Sequence, residues 1–229
     1  RETALATDAE RAAFIETLPT RLVDVLRRRV AETPDAPVVH SGDKTYTYAD
    51  LGAGLDAAIP VLTNAGIRAG DRVLLVTENS FTGICFLYAI MAVDAWAVLA
   101  NTRFAAREIS VMTDRAQPRA TVCIAGTSPE THALAPAGSA RCEHAAFGVA
   151  ALGGIDSSVA PEPVPAREDE QVAVVIFTSG TTGVPKAAML GHKSLIYRGA
   201  IVSDRRGFGP GVRPYLVAPI VHVLGLCAI

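Results

Sequence analysis

The spacing of apolar positions divides the chain into alternating elements. Residues 8–17 and 20–32 read as helices, with Leu22, Val25, Leu26 and Val30 at 3.6-residue spacing before Pro34 and Pro37 stop the second. Two short β-prone runs, 38–40 and 45–47, flank Ser41-Gly42-Asp43-Lys44 and predict a hairpin. A helix opens at Thr47 or Tyr48, carries Leu51, Leu55, Ala58 and Leu62 on one face, and leaves through Gly66 and Gly70. The centre then alternates: strand 72–77, helix 80–93, strand 96–100, helix 103–115 with Ile109 and Met112 inward, strand 120–124. Strands separated by single helices and short connections require right-handed crossovers. The expected fold class is therefore α/β, with a layered, mostly parallel sheet and helices on both faces.

Residues 126–170 change character. Proline and glycine rise, and Pro161, Pro163 and Pro165 precede the acidic Glu168-Asp169-Glu170. This stretch predicts loop and linker on the surface. Beyond it come an apolar strand at 172–177, a polar loop at 178–186, a short strand at 187–190, a helix at 191–204 and another strand at 214–218. The expected organisation is a first α/β unit over 1–125, a connection over 126–170, and a second α/β unit beginning at 171.

Composition narrows the functional classes. Half of the 229 residues are hydrophobic and 19% are charged, enough apolar surface for a large core. Twenty-one basic residues against 23 acidic ones leave a net charge of −2, unlike a strongly basic nucleic-acid binder. The longest apolar run, 84–100, holds Asp94 and is explained by a buried helix followed by a strand. Cys85, Cys123, Cys142 and Cys227 fall at no metal-ligand or redox spacing and read as free, mostly buried thiols of a reducing compartment. The five histidines are scattered and form no zinc motif. The first twenty residues lack the apolar core of a secretory signal, so a cytoplasmic location is expected.

The chemistry concentrates in Phe177-Thr178-Ser179-Gly180-Thr181-Thr182-Gly183-Val184-Pro185-Lys186. Gly180 and Gly183 allow the backbone to curl and aim several N–H groups at one point. Thr178, Ser179, Thr181 and Thr182 add hydroxyl donors, Pro185 keeps Val184 extended, and Lys186 places one ammonium at the exit. Such a set of neutral donors with a single cation matches a polyphosphate. The Walker spacing of Gly, four residues, Gly-Lys-Ser/Thr is absent, and the following Ala-Ala-Met-Leu is β-like, so the loop joins two strands. An ordinary Gly/Thr-rich turn is the bland alternative.

At this loop the chain resembles the adenylate-forming superfamily of acyl-CoA synthetases, nonribosomal peptide adenylation domains and luciferases. Residues 178–186 are similar to its phosphate-binding signature. Thr45-Tyr46-Thr47-Tyr48-Ala49-Asp50-Leu51 is similar to an early family segment, and Gly66-Ile67-Arg68-Ala69-Gly70-Asp71-Arg72-Val73 resembles the turn before its first sheet strand. Asn101-Thr102-Arg103-Phe104 and Pro219-Ile220-Val221-His222-Val223-Leu224-Gly225-Leu226 resemble two later motifs, in the family's order. The resemblance implies the N-terminal subdomains of the acyl-adenylate synthetase fold. It implies an acid–thiol ligase that converts a carboxylic acid and ATP to an acyl-adenylate and pyrophosphate, then passes the acyl group to coenzyme A. By resemblance, Thr178, Ser179, Gly180, Thr181, Thr182, Gly183 and Lys186 hold the β- and γ-phosphates. His222 stands near the substrate carboxylate, and Lys186 and His222 are the expected catalytic groups. A histidine between two valines is otherwise most often a packed core residue. Arg103 reads as a solvated charge at a helix start.

Mg2+ is implied, with its ligands outside this chain. A fatty or other apolar acid is the preferred substrate class; a nonribosomal-peptide adenylation domain and a non-catalytic nucleotide-binding fragment are the alternatives. Departures from the family pattern are Ala187 in place of glycine after the lysine, Val221 in place of an aromatic residue, and Asp94-Ala95-Trp96 where a glycine turn is usual. The adenine- and ribose-contacting segments, the hinge and the C-terminal domain are missing, and the chain stops within the apolar run 224–229, so a truncated chain that is inactive alone is expected.

Overall fold

The computed structural model describes residues 7–124, 134–178, 185–208, 211–212 and 214–226. Two helices, α1 (Asp8–Glu16) and α2 (Leu22–Glu32), precede an antiparallel hairpin of β1 (Pro37–Ser41) and β2 (Lys44–Thr47). Helix α3 (Tyr48–Asn64) begins directly after it. The Thr47 hydroxyl accepts from Asp50 N at 3.2 Å and Asp50 Oδ2 accepts from Thr47 N at 2.8 Å. This reciprocal cap satisfies two amides that an uncapped helix start leaves open, and it fixes the helix boundary at the predicted residue.

The core alternation follows as β3 (Arg72–Val76), α4 (Phe81–Ala92), β4 (Trp96–Ala100), α5 (Ala106–Ala116) and β5 (Ala120–Cys123). Every residue of β3 is buried, as expected for a strand covered on both faces. Val73 and Leu75 pack with α3 and α4, through Leu55, Leu62, Phe86 and Ile90. Leu74 and Val76 point the other way, to Met112 of α5. Leu55 and Leu62 are wholly removed from solvent, each contributing roughly 1.5–3 kcal/mol. Helix α4 is apolar all round because it lies under α3 and against the sheet; Ser80 caps it, accepting from Gly83 N at 3.0 Å. Helix α5 starts three residues later than predicted. Residues 101–104 form a turn instead, in which Asn101 Oδ1 accepts from Arg103 N at 2.9 Å.

Among the described residues, seven strands form one sheet in the order β6-β7-β5-β3-β4-β8-β9. Here β6 is Ala140–His144, β7 Gly148–Gly153, β8 Val172–Thr178 and β9 Lys186–Gly191. The four central strands are parallel, and the outer three run antiparallel to their neighbours. The layered α/β expectation holds, with a mixed rather than purely parallel sheet. The hairpin β6–β7 corrects the reading of 126–170 as loop. Pairing with β5 stabilises β7 although its Gly-Val-Ala-Ala-Leu-Gly composition has weak strand preference; Ala150 and Leu152 are buried there. Strand β6 forms the edge and exposes Arg141 and Glu143. Strands from before and after the 126–170 segment lie side by side, β4 pairing with β8.

The remaining described elements are a single 3-10 turn (Glu168–Glu170), α6 (His192–Arg206) and a short α7 (Val223–Leu226). Residues 214–218 form no strand, contrary to expectation. Among the described residues no strand pairs with them, and two of their carbonyls bond to a side chain instead. Cys85, Cys123 and Cys142 are free; burial raises the thiols of Cys85 and Cys123 to about 12, so neither supplies a thiolate. Cys227 lies outside the described residues. No described helix is long and apolar enough to cross a membrane.

Candidate active site at the carboxyl edge of the sheet

Strand β3 is left by α4 toward one face and β4 by α5 toward the other. The crevice beyond their carboxyl ends is the switch point of the sheet, the place where open α/β sheets receive ligands. Polar residues follow each strand directly. Thr77 is fully buried; its N–H donates to Ala100 O at 3.0 Å and its hydroxyl to Glu78 O at 2.8 Å. The Thr102 hydroxyl donates to Glu78 Oε1 at 2.8 Å, which ties the ends of β3 and β4 together.

Strand β8 ends at the same edge. The parallel register pairs Leu99 of β4 with Ile176 of β8, so two residues further Asn101 comes level with Thr178. Across the hairpin, Thr178 pairs with Lys186, and the Thr178 hydroxyl donates to Lys186 O at 3.4 Å. Thr178 and Lys186 are therefore neighbours at the two feet of one loop, and both are exposed. The expectation that the loop joins two strands is met. Ser179, Gly180, Thr181, Thr182 and Gly183, the body of the loop, lie outside the described residues.

His222 is brought to this edge from the far end of the chain. Asn79, two residues after Thr77, donates from Nδ2 to Leu216 O at 3.3 Å and to Ala218 O at 3.1 Å, and its Oδ1 accepts from Ile220 N at 2.7 Å. Ile220 and Val221 turn into the main core. The chain then doubles back, with His222 N donating to Pro219 O at 2.9 Å and Leu226 N to His222 O at 2.9 Å. Gly225 makes this fold possible: a Cβ there would sit 2.1 Å from Pro219 O. The His222 ring is exposed, and its Nδ1 accepts from Leu224 N at 3.3 Å. With Nδ1 acting as acceptor, the neutral ring carries its proton on Nε2, facing solvent as a donor. Arg103 is exposed and contributes its backbone to the 101–104 turn.

Asn79 and Glu78 are residues of this edge that sequence reasoning passes over, and Thr102 is read there only as part of the 101–104 motif. The only signal is position, since each is polar and follows a buried strand at its carboxyl end. Among the described residues no group of His, Cys, Asp and Glu is placed to hold a metal ion. A cleft of about 700 Å3 lies at the opposite edge, lined by Arg72, Gln117, Asp156 and Glu162. Its buried arginine is committed to backbone: Arg72 donates to the carbonyls of Gly70, Ala116, Gln117 and Ala160. Arg119 likewise donates to the carbonyls of Ser157 and Val159. Together they strap the proline-rich connection to the base of the sheet, a structural task.

Comparison with known proteins identifies the family and the fold. The long-chain-fatty-acid–CoA ligase FadD13 of Mycobacterium tuberculosis is 30% identical over 211 residues, which is 90% of this chain and 42% of that protein. The hybrid PKS-NRPS synthetase mycA of Thermothelomyces thermophilus is 31% identical over 186 residues, 79% of this chain and 4% of that protein. The fold is shared with ATP-bound MatB from Rhodopseudomonas palustris, at TM-score 0.71 and 23% identity over 92% of this chain and 42% of that one. The chain thus spans less than half the length of FadD13 and corresponds to the N-terminal part of its relatives. The family model for the AMP-binding enzyme matches residues 26–229, and the chain belongs to that family of adenylate-forming ligases.

Proposed function

We propose that this chain is the phosphate- and acid-binding portion of an ATP-dependent acid–thiol ligase. A substrate carboxylate oxygen attacks the α-phosphorus of ATP and displaces pyrophosphate; a thiol, coenzyme A, then attacks the acyl carbon and displaces AMP. Thr178, Ser179, Gly180, Thr181, Thr182 and Gly183 surround the β- and γ-phosphates, and Lys186 neutralises charge that builds on the departing pyrophosphate. Each charge-assisted hydrogen bond of this kind contributes roughly 1.5–3 kcal/mol. His222 donates its Nε2–H to the substrate carboxylate, holding it against the α-phosphate. Mg2+ accompanies the nucleotide, with ligands from outside this chain.

The observation that carries this reading is the meeting of the two feet of the loop, Thr178 and Lys186, at the edge to which Asn79 fastens the His222 segment. Residues 1–125 and the unit from 171 act as the two walls of that site. A fatty or other apolar acid fits the likeness to FadD13, and the buried free thiols fit a reducing, cytoplasmic setting. The likeness to mycA supports a second reading, adenylation of an amino acid.

Acid-dependent exchange of labelled pyrophosphate into ATP tests the proposal in the intact protein. Exchange stimulated by fatty or aryl acids is expected, and stimulation by amino acids alone would replace the first reading with the second. Exchange with no acid at all, or none with any acid, would refute both. The 229-residue chain by itself is expected to give no turnover.

A further inference from the structure

Asn79 stands apart from the other polar residues of the carboxyl edge. It is exposed, yet three of its hydrogen-bonding positions are committed to one remote stretch of backbone, residues 216–220. No described strand pairs with that stretch, and the turn that begins at its Pro219 carbonyl leads straight to His222. On its other side Asn79 is fixed between the buried Thr77, which directly follows β3, and Ser80, the cap of α4. A side-chain amide bonded this way acts as a rigid spacer between a fully buried strand of the sheet and the histidine.

We propose that Asn79 is a positioning residue: its three bonds to residues 216–220 set the direction in which His222 meets the carboxylic acid. The inference rests on the role given to His222 above and extends it to a residue that never touches the substrate. An amide is needed because the segment offers two acceptors and one donor in sequence. Aspartate keeps the acceptor for Ile220 N and sets a negative charge against two carbonyls; alanine leaves all three backbone groups to water.

Two measurements on the intact protein test it. In acid-dependent pyrophosphate exchange, Asn79→Ala raises the KM for the acid about tenfold and leaves the KM for ATP within twofold, and Asn79→Asp lies between. In a His222→Ala background, Asn79→Ala has no further effect. Independently of activity, nitrogen-15 spectra of the histidine rings report the His222 tautomer. The wild type gives the Nε2–H form, and both Asn79 variants give a mixture while keeping the wild-type circular dichroism. Additive losses in the double variant, or an equal rise in both KM values, overturn the proposal. An unchanged tautomer overturns it too, whether or not exchange is observed. An altered tautomer in a protein that activates no acid upholds the positioning role and removes the functional reading. Should Asn79→Ala fail to fold, Asn79→Asp carries both measurements with the same opposing outcomes.

Discussion

Arg21, at the start of α2, donates from Nη2 both to the carboxylate of Asp94 and to Met91 O at 2.9 Å, closing the turn between α4 and β4. Asp94 occupies that turn at φ 57°, a left-handed conformation usual for glycine. Gly70 N donates to Asp94 O at 2.8 Å, so the strained residue is held from both ends. The sequence departure at position 94 is thereby explained: the aspartate spends conformational energy and recovers it in a contact that glycine does not make.

Two substitutions separate these contributions. Asp94→Ala keeps the left-handed backbone and removes the partner of a mostly buried guanidinium, so it destabilises by about 2 kcal/mol. Asp94→Gly relieves the backbone while losing the pair and stays within about 1 kcal/mol of wild type. Urea unfolding of the three proteins checks the order; equal losses for both variants contradict it.

Gly225→Ala drives a methyl group into the Pro219 carbonyl and the Ala218 carbonyl, 2.1 and 2.8 Å from an added Cβ. Helix α7 then cannot close on residues 218–219. The expected loss is about 2 kcal/mol of stability. A fall in acid activation of at least tenfold accompanies it, because His222 sits inside that turn. Exchange kinetics and urea midpoints measured on one preparation test both halves.

His192 gives the fold a pH dependence unrelated to catalysis. It starts α6 at the amino edge of the sheet, its Nδ1 accepting from Leu22 N at 3.3 Å. Burial, with Arg21 nearby, depresses its imidazole from 6.5 to about 4. The unfolded chain takes up this proton near pH 6.5 and the folded chain only near pH 4. Stability from this group is therefore complete above pH 6.5 and is lost as pH falls toward 4, by at most about 3 kcal/mol. Urea midpoints at pH 7 and pH 4.5 are expected to converge in His192→Gln by the amount this histidine contributes.

Lys186→Ala in the intact protein lowers pyrophosphate exchange by about two orders of magnitude, the usual effect of removing one group that stabilises developing charge. Lys186 is exposed, so the thermal midpoint changes little. Exchange at the wild-type rate contradicts the polyphosphate role.

Local rules make much of this fold legible. The Thr47–Asp50 cap, the buried run of β3 and the alternation of strand and helix through β5 are written in residues close together in the chain. The hairpin β6–β7 is not, because glycine and alanine give it little strand preference and pairing with β5 supplies what composition lacks. Residues 214–218 mislead in the opposite direction: Tyr215, Leu216 and Val217 suit a strand, but among the described residues no strand pairs with them. At the site, Thr178, Lys186 and His222 stand out by motif. Asn79 does not, since its meaning comes from groups 137 to 141 residues away.

The arginine strap at the base of the sheet assigns a mechanical role that composition would reverse. A stretch holding Pro161, Pro163 and Pro165 would ordinarily be drawn as the joint at which a molecule bends. With Arg72 and Arg119 gripping its carbonyls and Glu162 N donating to Gly70 O at 2.9 Å, it is a brace instead. The segment cannot serve as a joint, and β4 and β8, which precede and follow it in the chain, are held side by side as parts of one stiff sheet.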